Sequence, residues 1–224
     1  MEPTIPIKKT WIILLSYVVT LEAFNMFVNS NVNILRVVWH EINNQIATNP
    51  CEITKLISAA WALPTIREQV LNEEFIAKFL VGVIGGWAQF TDFEDSADMF
   101  SVLCRLSQNT SGAVIMCKHR EFTEFLHQAV IDVISIGPHA IQVCINLINN
   151  LDIESLRGIF KVEFFAAFKK SFINLANTYS DEFSEKAKSL YKLSVEKRLF
   201  RDKQIDEFIK MNPRQKVEPD RPSG

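Results

Sequence analysis

The chain of 224 residues has little glycine and little proline, seven and eight residues, and Pro213, Pro219 and Pro222 fall in its last dozen positions. Tight turns depend on such residues, so a fold made of many hairpins is disfavoured. The β-branched residues never gather into alternating runs bounded by Asn-Gly or Asp-Gly, which sets aside a sandwich or a barrel. Cysteine is sparse as well: Cys51, Cys104, Cys117 and Cys144 stand 53, 13 and 27 positions apart, with no CxxC pair. Such spacing fits reduced, mostly buried thiols and a reducing compartment, cytoplasmic or nuclear or both. Cys117-Lys118-His119 offers two metal ligands, but a second pair at ligand spacing is missing, so no metal is expected.

The common catalytic signatures are missing too. Gly82, Gly85 and Gly86 fall inside an apolar helical pattern and form neither GxxxxGK nor GxGxxG. There they are expected to permit close packing or a kink. No GxSxG or HExxH occurs, and of the four histidines His119 and His127 lie eight apart without a neighbouring nucleophile. Neither catalysis nor a cofactor is therefore expected. The carboxylates Asp92, Glu94, Asp95 and Asp98 cluster, but at a helix start they are explained by its partial positive charge.

Long apolar runs are scarce. Trp11 to Leu21, after Lys8-Lys9, is interrupted by Glu22 and Asn25 before it reaches the roughly 20 apolar residues that span a bilayer. It has no small-x-small cleavage site, and Phe24, Met26 and Phe27 continue its helical pattern. It reads as a first buried helix, so the sequon Asn109-Thr110-Ser111 carries no weight and a membrane partner is not expected. Net charge is −2, with 10 basic and 16 acidic residues in 1–160 and 14 basic and 10 acidic in 161–224. The basic end alternates in sign, as in Glu196-Lys197-Arg198 and Arg201-Asp202-Lys203. That is a solvated helix face, and nucleic acid is not the expected partner.

What the chain does have is 48% hydrophobic residues, enough for a sizeable core, set out with a period. Pairs of apolar residues three apart recur at Val18/Leu21, Ala60/Leu63, Leu103/Leu106, Ile145/Ile148 and Leu190/Leu193, and the second members are separated by 42, 43, 42 and 45 positions. A second register is an acidic-aromatic step, Glu74-Phe75, Glu121-Phe122 and Glu163-Phe164, with Val32 in the corresponding earlier place. Four residues on stand Phe79, Leu126 and Phe168, with Arg36 the exception. The i, i+4 spacing puts each pair on one helix face, as core stripes. Asn49-Pro50, Thr91-Asp92, Gly137-Pro138 and Ser180-Asp181 precede the helices that carry the three-apart pairs, supplying caps or a first-turn proline.

Each period then reads as a short helix followed by two longer ones: 24–30, 32–47 and 51–63; 64–72, 74–90 and 93–108; 112–119, 121–135 and 138–150; 153–160, 163–177 and 181 onward. Residues 10–22 form the end of an incomplete unit. The last helical pattern continues through Leu199, Phe200, Ile205, Phe208 and Ile209 to Asn212-Pro213. Residues 1–9 are thus a lead-in, 10–211 the repeat domain, and 212–224 a disordered tail.

Three helices in roughly 42 residues, stacked on their neighbours, resemble the armadillo repeat over about 10–200. The two-helix HEAT repeat is the nearest alternative. The best local match, Ser58-Ala59-Ala60-Trp61-Ala62-Leu63, is similar to the third-helix Ala-Ala-Trp-Ala-Leu of the karyopherin-alpha nuclear import adaptors. The resemblance implies an all-α, right-handed α-solenoid of about four three-helix repeats plus a partial N-terminal unit. Its concave groove, built from the third helices, would hold an extended peptide or helix of another intracellular protein.

In those adaptors the groove has a tryptophan and, four residues later, an asparagine. In register these positions are Val19, Trp61, Cys104, Asn146 and Tyr191, and Ala23, Thr65, Gln108, Asn150 and Val195. Only Trp61 and Asn150 match, in different repeats, so the array that reads basic localisation signals is not expected. The groove residues that the resemblance leaves are Trp61, Thr65, Arg105, Gln108, Asn146, Asn150, Tyr191 and Lys192, and the expected function is a non-enzymatic adaptor or scaffold. The alternative is a structural module that self-assembles through the apolar ends of the stack, Trp11-Ile12-Ile13 and the Phe200–Ile209 helix.

Overall fold

A computed structural model describes residues 39–40, 42–61, 63–87, 93–131, 137–175 and 181–211. The expected lead-in and tail, the Trp11–Leu21 segment, and Val18, Leu21, Val32 and Arg36 lie outside these residues. Among the described residues the structure is all-helical, without strands. After helical residues at 42–45 come α1 (Pro50–Ala60), α2 (Pro64–Val70), α3 (Glu73–Gly85), α4 (Phe93–Gln108), α5 (Thr110–Lys118), α6 (Arg120–Ile131), α7 (Gly137–Asn150), α8 (Ile153–Ile159), α9 (Val162–Leu175), α10 (Asp181–Glu196) and α11 (Lys203–Met211). Among the described residues no helix is long and apolar enough to cross a membrane.

Local chemistry sets the helix ends. Pro50 and Pro64 open α1 and α2, where the missing N–H costs nothing and φ is already helical. Asn72 accepts the Glu74 N–H (2.9 Å), Asn109 the Gly112 N–H (3.2 Å) and Asp152 the Ser155 N–H (2.8 Å). Each satisfies a donor that the first turn leaves without an intrahelical acceptor. Asn49 precedes α1 as expected, yet its side chain does not cap. Its amide donates to Gln45 Oε1 (2.9 Å) and Thr48 Oγ1 (3.3 Å), which ties down the preceding turn. The helix expected over 74–90 stops at Gly85, where Gly86 N–H closes back on the Gly82 carbonyl (2.8 Å). The helix expected over 51–63 stops at Ala60, because Pro64 forces a new start and Leu63 is already extended.

The C-terminal pattern also differs from the expected continuous helix. α10 ends at Glu196, and Arg198 takes the left-handed conformation at φ 56°. Leu199 N–H then bonds to the Ser194 carbonyl (2.9 Å) and Arg198 N–H to that of Val195 (3.1 Å). This is a Schellman closure, with arginine where glycine is the usual residue. The chain turns back, and Asp202 Oδ1 accepts the Gln204 N–H (2.9 Å) to start α11.

The helices associate in a recurring order. α1 packs on α4, α4 on α7 and α7 on α10, while α3 packs on α6 and α6 on α9. The same neighbour relation therefore returns at every third helix. Short α5 touches α3, α4, α6 and α7, and α11 closes on α9. Most described members of both apolar registers are buried, with Ile145 and Leu193 half-buried. Phe75, Phe79, Phe122, Leu126, Phe164 and Phe168 are at most 2% exposed, and Ala60, Leu63, Leu103, Leu106, Ile148 and Leu190 at most 1%. Each such Leu or Phe contributes about 1.5–3 kcal/mol relative to an exposed position. Close approach is needed at two glycines. A Cβ on Gly82 would meet the Ile46 carbonyl oxygen at 2.6 Å, and one on Gly112 would collide with the Leu106 carbonyl oxygen.

Candidate functional site

The eight expected groove residues distribute unevenly over the row α1, α4, α7, α10. Trp61 sits at the C-cap of α1, half-buried, and the Arg105 guanidinium of α4 lies 5.5 Å from the centre of its ring. Arg105 Nη1 also donates to the Ser58 carbonyl at 3.1 Å. One arginine thus satisfies an α1 carbonyl near the helix end and holds the indole by cation–π attraction. Gln108, the last residue of α4, is exposed one turn beyond Arg105.

Thr65 does not belong to that row. The i, i+4 relation to Trp61 requires one continuous helix, but α1 ends at Ala60 and Thr65 is the second residue of α2. Its register with Gln108 and Asn150 is lost at the Pro64 break.

Asn146 and Asn150 lie on α7, and both amides are used inside the fold. Asn146, 7% exposed, donates from Nδ2 to the Cys104 carbonyl and to Ser107 Oγ, each at 3.1 Å, and accepts from Gln142 Nε2 at 3.1 Å. Asn150 Nδ2 donates to the Ser107 and Asn146 carbonyls, each at 3.0 Å. With their N–H groups spent on α4 and α7, these side chains clamp neighbouring helices together. Ser107, which both asparagines bond, and Ser58, which Arg105 bonds, carried no signal as single residues. The repeat spacing carried one for Ser107, 43 positions before Asn150, but not for Ser58, 47 before Arg105.

Tyr191 is 3% exposed, and Lys192 beside it on α10 is exposed. The Tyr191 hydroxyl lies 2.8 Å from Asp206 Oδ1 and 2.9 Å from the Asp202 carbonyl, and accepts the Asp202 N–H at 3.1 Å. Burial pushes its pKa up. Asp202 is held below the usual carboxylate range by Lys169 Nζ at 2.7 Å, and Asp206 by the Tyr191 hydroxyl and then Arg201. Tyr191 therefore fastens α11 to the end of α10. Phe200 stacks on Phe165 with centroids 4.5 Å apart, and Ile205 is fully buried. The apolar residues Phe200 and Ile205 turn inward onto their own chain.

Along this row Gln108 and Lys192 are exposed, Trp61, Arg105 and Asn150 are half-buried, and Asn146 and Tyr191 are buried. None of the four cysteines is in a disulfide. Cys144 and Cys51 are buried, and desolvation pushes Cys104 up to about 11 and Cys117 up to about 12, so both stay thiols at neutral pH. Among the described residues no group of three His, Cys, Asp or Glu side chains is placed to hold a metal ion. No family model, curated protein or solved structure matches this chain.

Proposed function

We propose that the chain is a solenoid of armadillo-like three-helix units, and that it acts as a non-enzymatic adaptor holding a segment of another protein against the α1–α4–α7–α10 row. The return of the same helix neighbours at every third element supports the solenoid, together with the 42–45 residue register buried along it. A helical repeat cannot bury its apolar face alone, so stacked units yield one continuous core and one long surface of equivalent helices.

The observation that carries the binding reading is the Trp61–Arg105 pair. A half-buried indole, held by a guanidinium that also bonds a neighbouring helix, offers contact area at small entropic cost. Gln108 and Lys192 extend that surface with polar groups. The reading places the protein in a reducing compartment, in keeping with four cysteines outside any disulfide. Self-assembly through the C-terminal apolar end has less support, because Ile205 is buried and Phe200 is stacked within the same chain.

The test is site-specific photo-crosslinking in the native cell, with the crosslinker at Gln108 and, as control, at exposed Lys170 of α9. A discrete adduct at Gln108 that is lost with Trp61→Ala and absent at Lys170 is the expected result. Equal adducts at both positions, or adducts indifferent to Trp61→Ala, would overturn the reading.

A further inference from the structure

The turn between α10 and α11 closes where the local sequence does not call for one. Residues 197–202 contain neither glycine nor proline, and Lys197, Arg198, Leu199 and Arg201 are good helix formers. Yet Arg198 stands at φ 56°, and the Leu199 N–H bonds to the Ser194 carbonyl at 2.9 Å. A Cβ is penalised in that conformation and glycine is not. Local preference therefore favours one unbroken helix running from α10 into α11.

What opposes it is the docking of residues 200–206 on the ends of α9 and α10. Phe200 stacks on Phe165 of α9 at 4.5 Å between centroids and meets the Tyr191 ring edge-on at 6.2 Å. Lys169 Nζ of α9 reaches Asp202 at 2.7 Å, and the Tyr191 hydroxyl reaches Asp206 at 2.8 Å. Ile205 is fully buried. These contacts cover the end of α9, the last helix of the α3, α6, α9 row.

None of them requires that α11 belong to the same chain as the α9 it covers. When the turn straightens, α11 is carried away from its own α9, and a second copy in the same state offers an identical end. Reciprocal exchange keeps every docking contact of the closed form and relieves Arg198, as a strained short hinge invites. Two closed copies meeting end to end find Phe200 and Ile205 already covered, whereas exchange needs no bare apolar surface.

We propose that two copies of this chain exchange α11: the turn at 197–202 opens into a continuous α10–α11 helix, and each α11 docks on the α9–α10 end of the other copy. Neither Trp61 nor Arg105 takes part, so this proposal and the adaptor reading can fail separately.

The full chain is followed by light scattering and native mass spectrometry over rising concentration. The wild type is expected to form a dimer. Arg198→Gly relaxes the closed turn and weakens a straight helix, so its dimer should be at least about tenfold weaker. Arg198→Ala keeps the penalty and favours helix, so it should dimerise at least as well as the wild type. Complementation separates exchange from side-by-side association. Lys169→Asp sets two carboxylates against each other at the Lys169–Asp202 contact, and Asp202→Lys sets two ammonium groups there. The two variants, one isotope-labelled, are mixed in moderate urea and dialysed. An exchanged heterodimer has opposite charges at both ends, so it should exceed its statistical share several-fold. A wild type that stays monomeric at every concentration, Arg198→Gly dimerising as well as the wild type, or a mixture with only the statistical share of heterodimer would each overturn the proposal. The Arg198 comparison does not depend on the folding of the two charge variants.

Discussion

Asn146 of α7 gives both of its amide hydrogens to α4, one to the Cys104 carbonyl and one to the hydroxyl of Ser107, each at 3.1 Å. Ser107 Oγ can accept because its own proton goes to the Cys104 carbonyl at 2.9 Å. The three groups close a small buried network, with every donor used once. Asn146→Ala should therefore cost about 1–3 kcal/mol of stability in urea unfolding, the usual penalty for stranding buried partners. Asn146→Asp should cost more at pH 7, because its carboxylate would face acceptors. That excess should shrink at pH 5 as the carboxyl takes up a proton.

Arg198 occupies a left-handed backbone conformation at φ 56°. A Cβ is penalised there by roughly 1–2 kcal/mol, and glycine is not. Arg198→Gly is expected to raise stability by up to about 1 kcal/mol, the rest being offset by greater chain entropy in the unfolded state. Arg198→Ala, which keeps the Cβ, should leave stability within about 0.5 kcal/mol of the wild type. Thermal unfolding of the two variants side by side separates backbone strain from loss of charge.

Two helical glycines should respond to alanine with opposite signs. At Gly82 the new methyl would press on the Ile46 carbonyl, and a backbone atom cannot swing aside, so a loss of about 1–3 kcal/mol is expected. At Gly158 the methyl meets open space, so a gain of about 0.4–1 kcal/mol is expected. Chemical denaturation midpoints with unchanged m-values would check both.

Burial, partly opposed by the Ile159 carbonyl, holds the His127 pKa below its ordinary 6.5. The unfolded chain thus binds this proton more tightly than the folded one. The stability from the neutral ring is complete above pH 6.5 and is lost as pH falls from there through the lower folded pKa. Lys161 opposes protonation, while Glu124 and Glu163 favour it, so the net direction rests on desolvation. Unfolding free energies between pH 7.5 and 5.5 should fall less steeply for His127→Phe than for the wild type. Equal slopes would show that His127 does not titrate in this way.

Helix type and core position were legible in the sequence because they are local. Phe75/Phe79, Phe122/Leu126 and Phe164/Phe168 lie four apart, and that spacing alone puts each pair on one face; all six are buried. Helix starts were legible to within a residue or two where Pro50, Pro64 or Asp152 marks them, whereas the stop at Gly85–Gly86 was not, the apolar pattern running on past it. The break at 197–202 was not, since Arg198 is no usual left-handed residue and the apolar spacing runs on through Phe200 and Ile205. What holds that turn is nonlocal: the Tyr191 hydroxyl, Lys169 and the Phe165 ring all wait for residues 200–206 to fold back.

By itself, then, the sequence determined that the chain is helical, which faces are apolar, and that they recur every 42–45 residues. A residue's place on a helix is set by its own backbone. Only the tertiary structure decided what the polar residues on those faces do. Gln108 and Asn150 hold equivalent places in the repeat, yet Gln108 is exposed and Asn150 is bound to the Ser107 carbonyl. The difference lies in whether a neighbouring helix brings an acceptor within about 3 Å, which a side chain's own register does not contain.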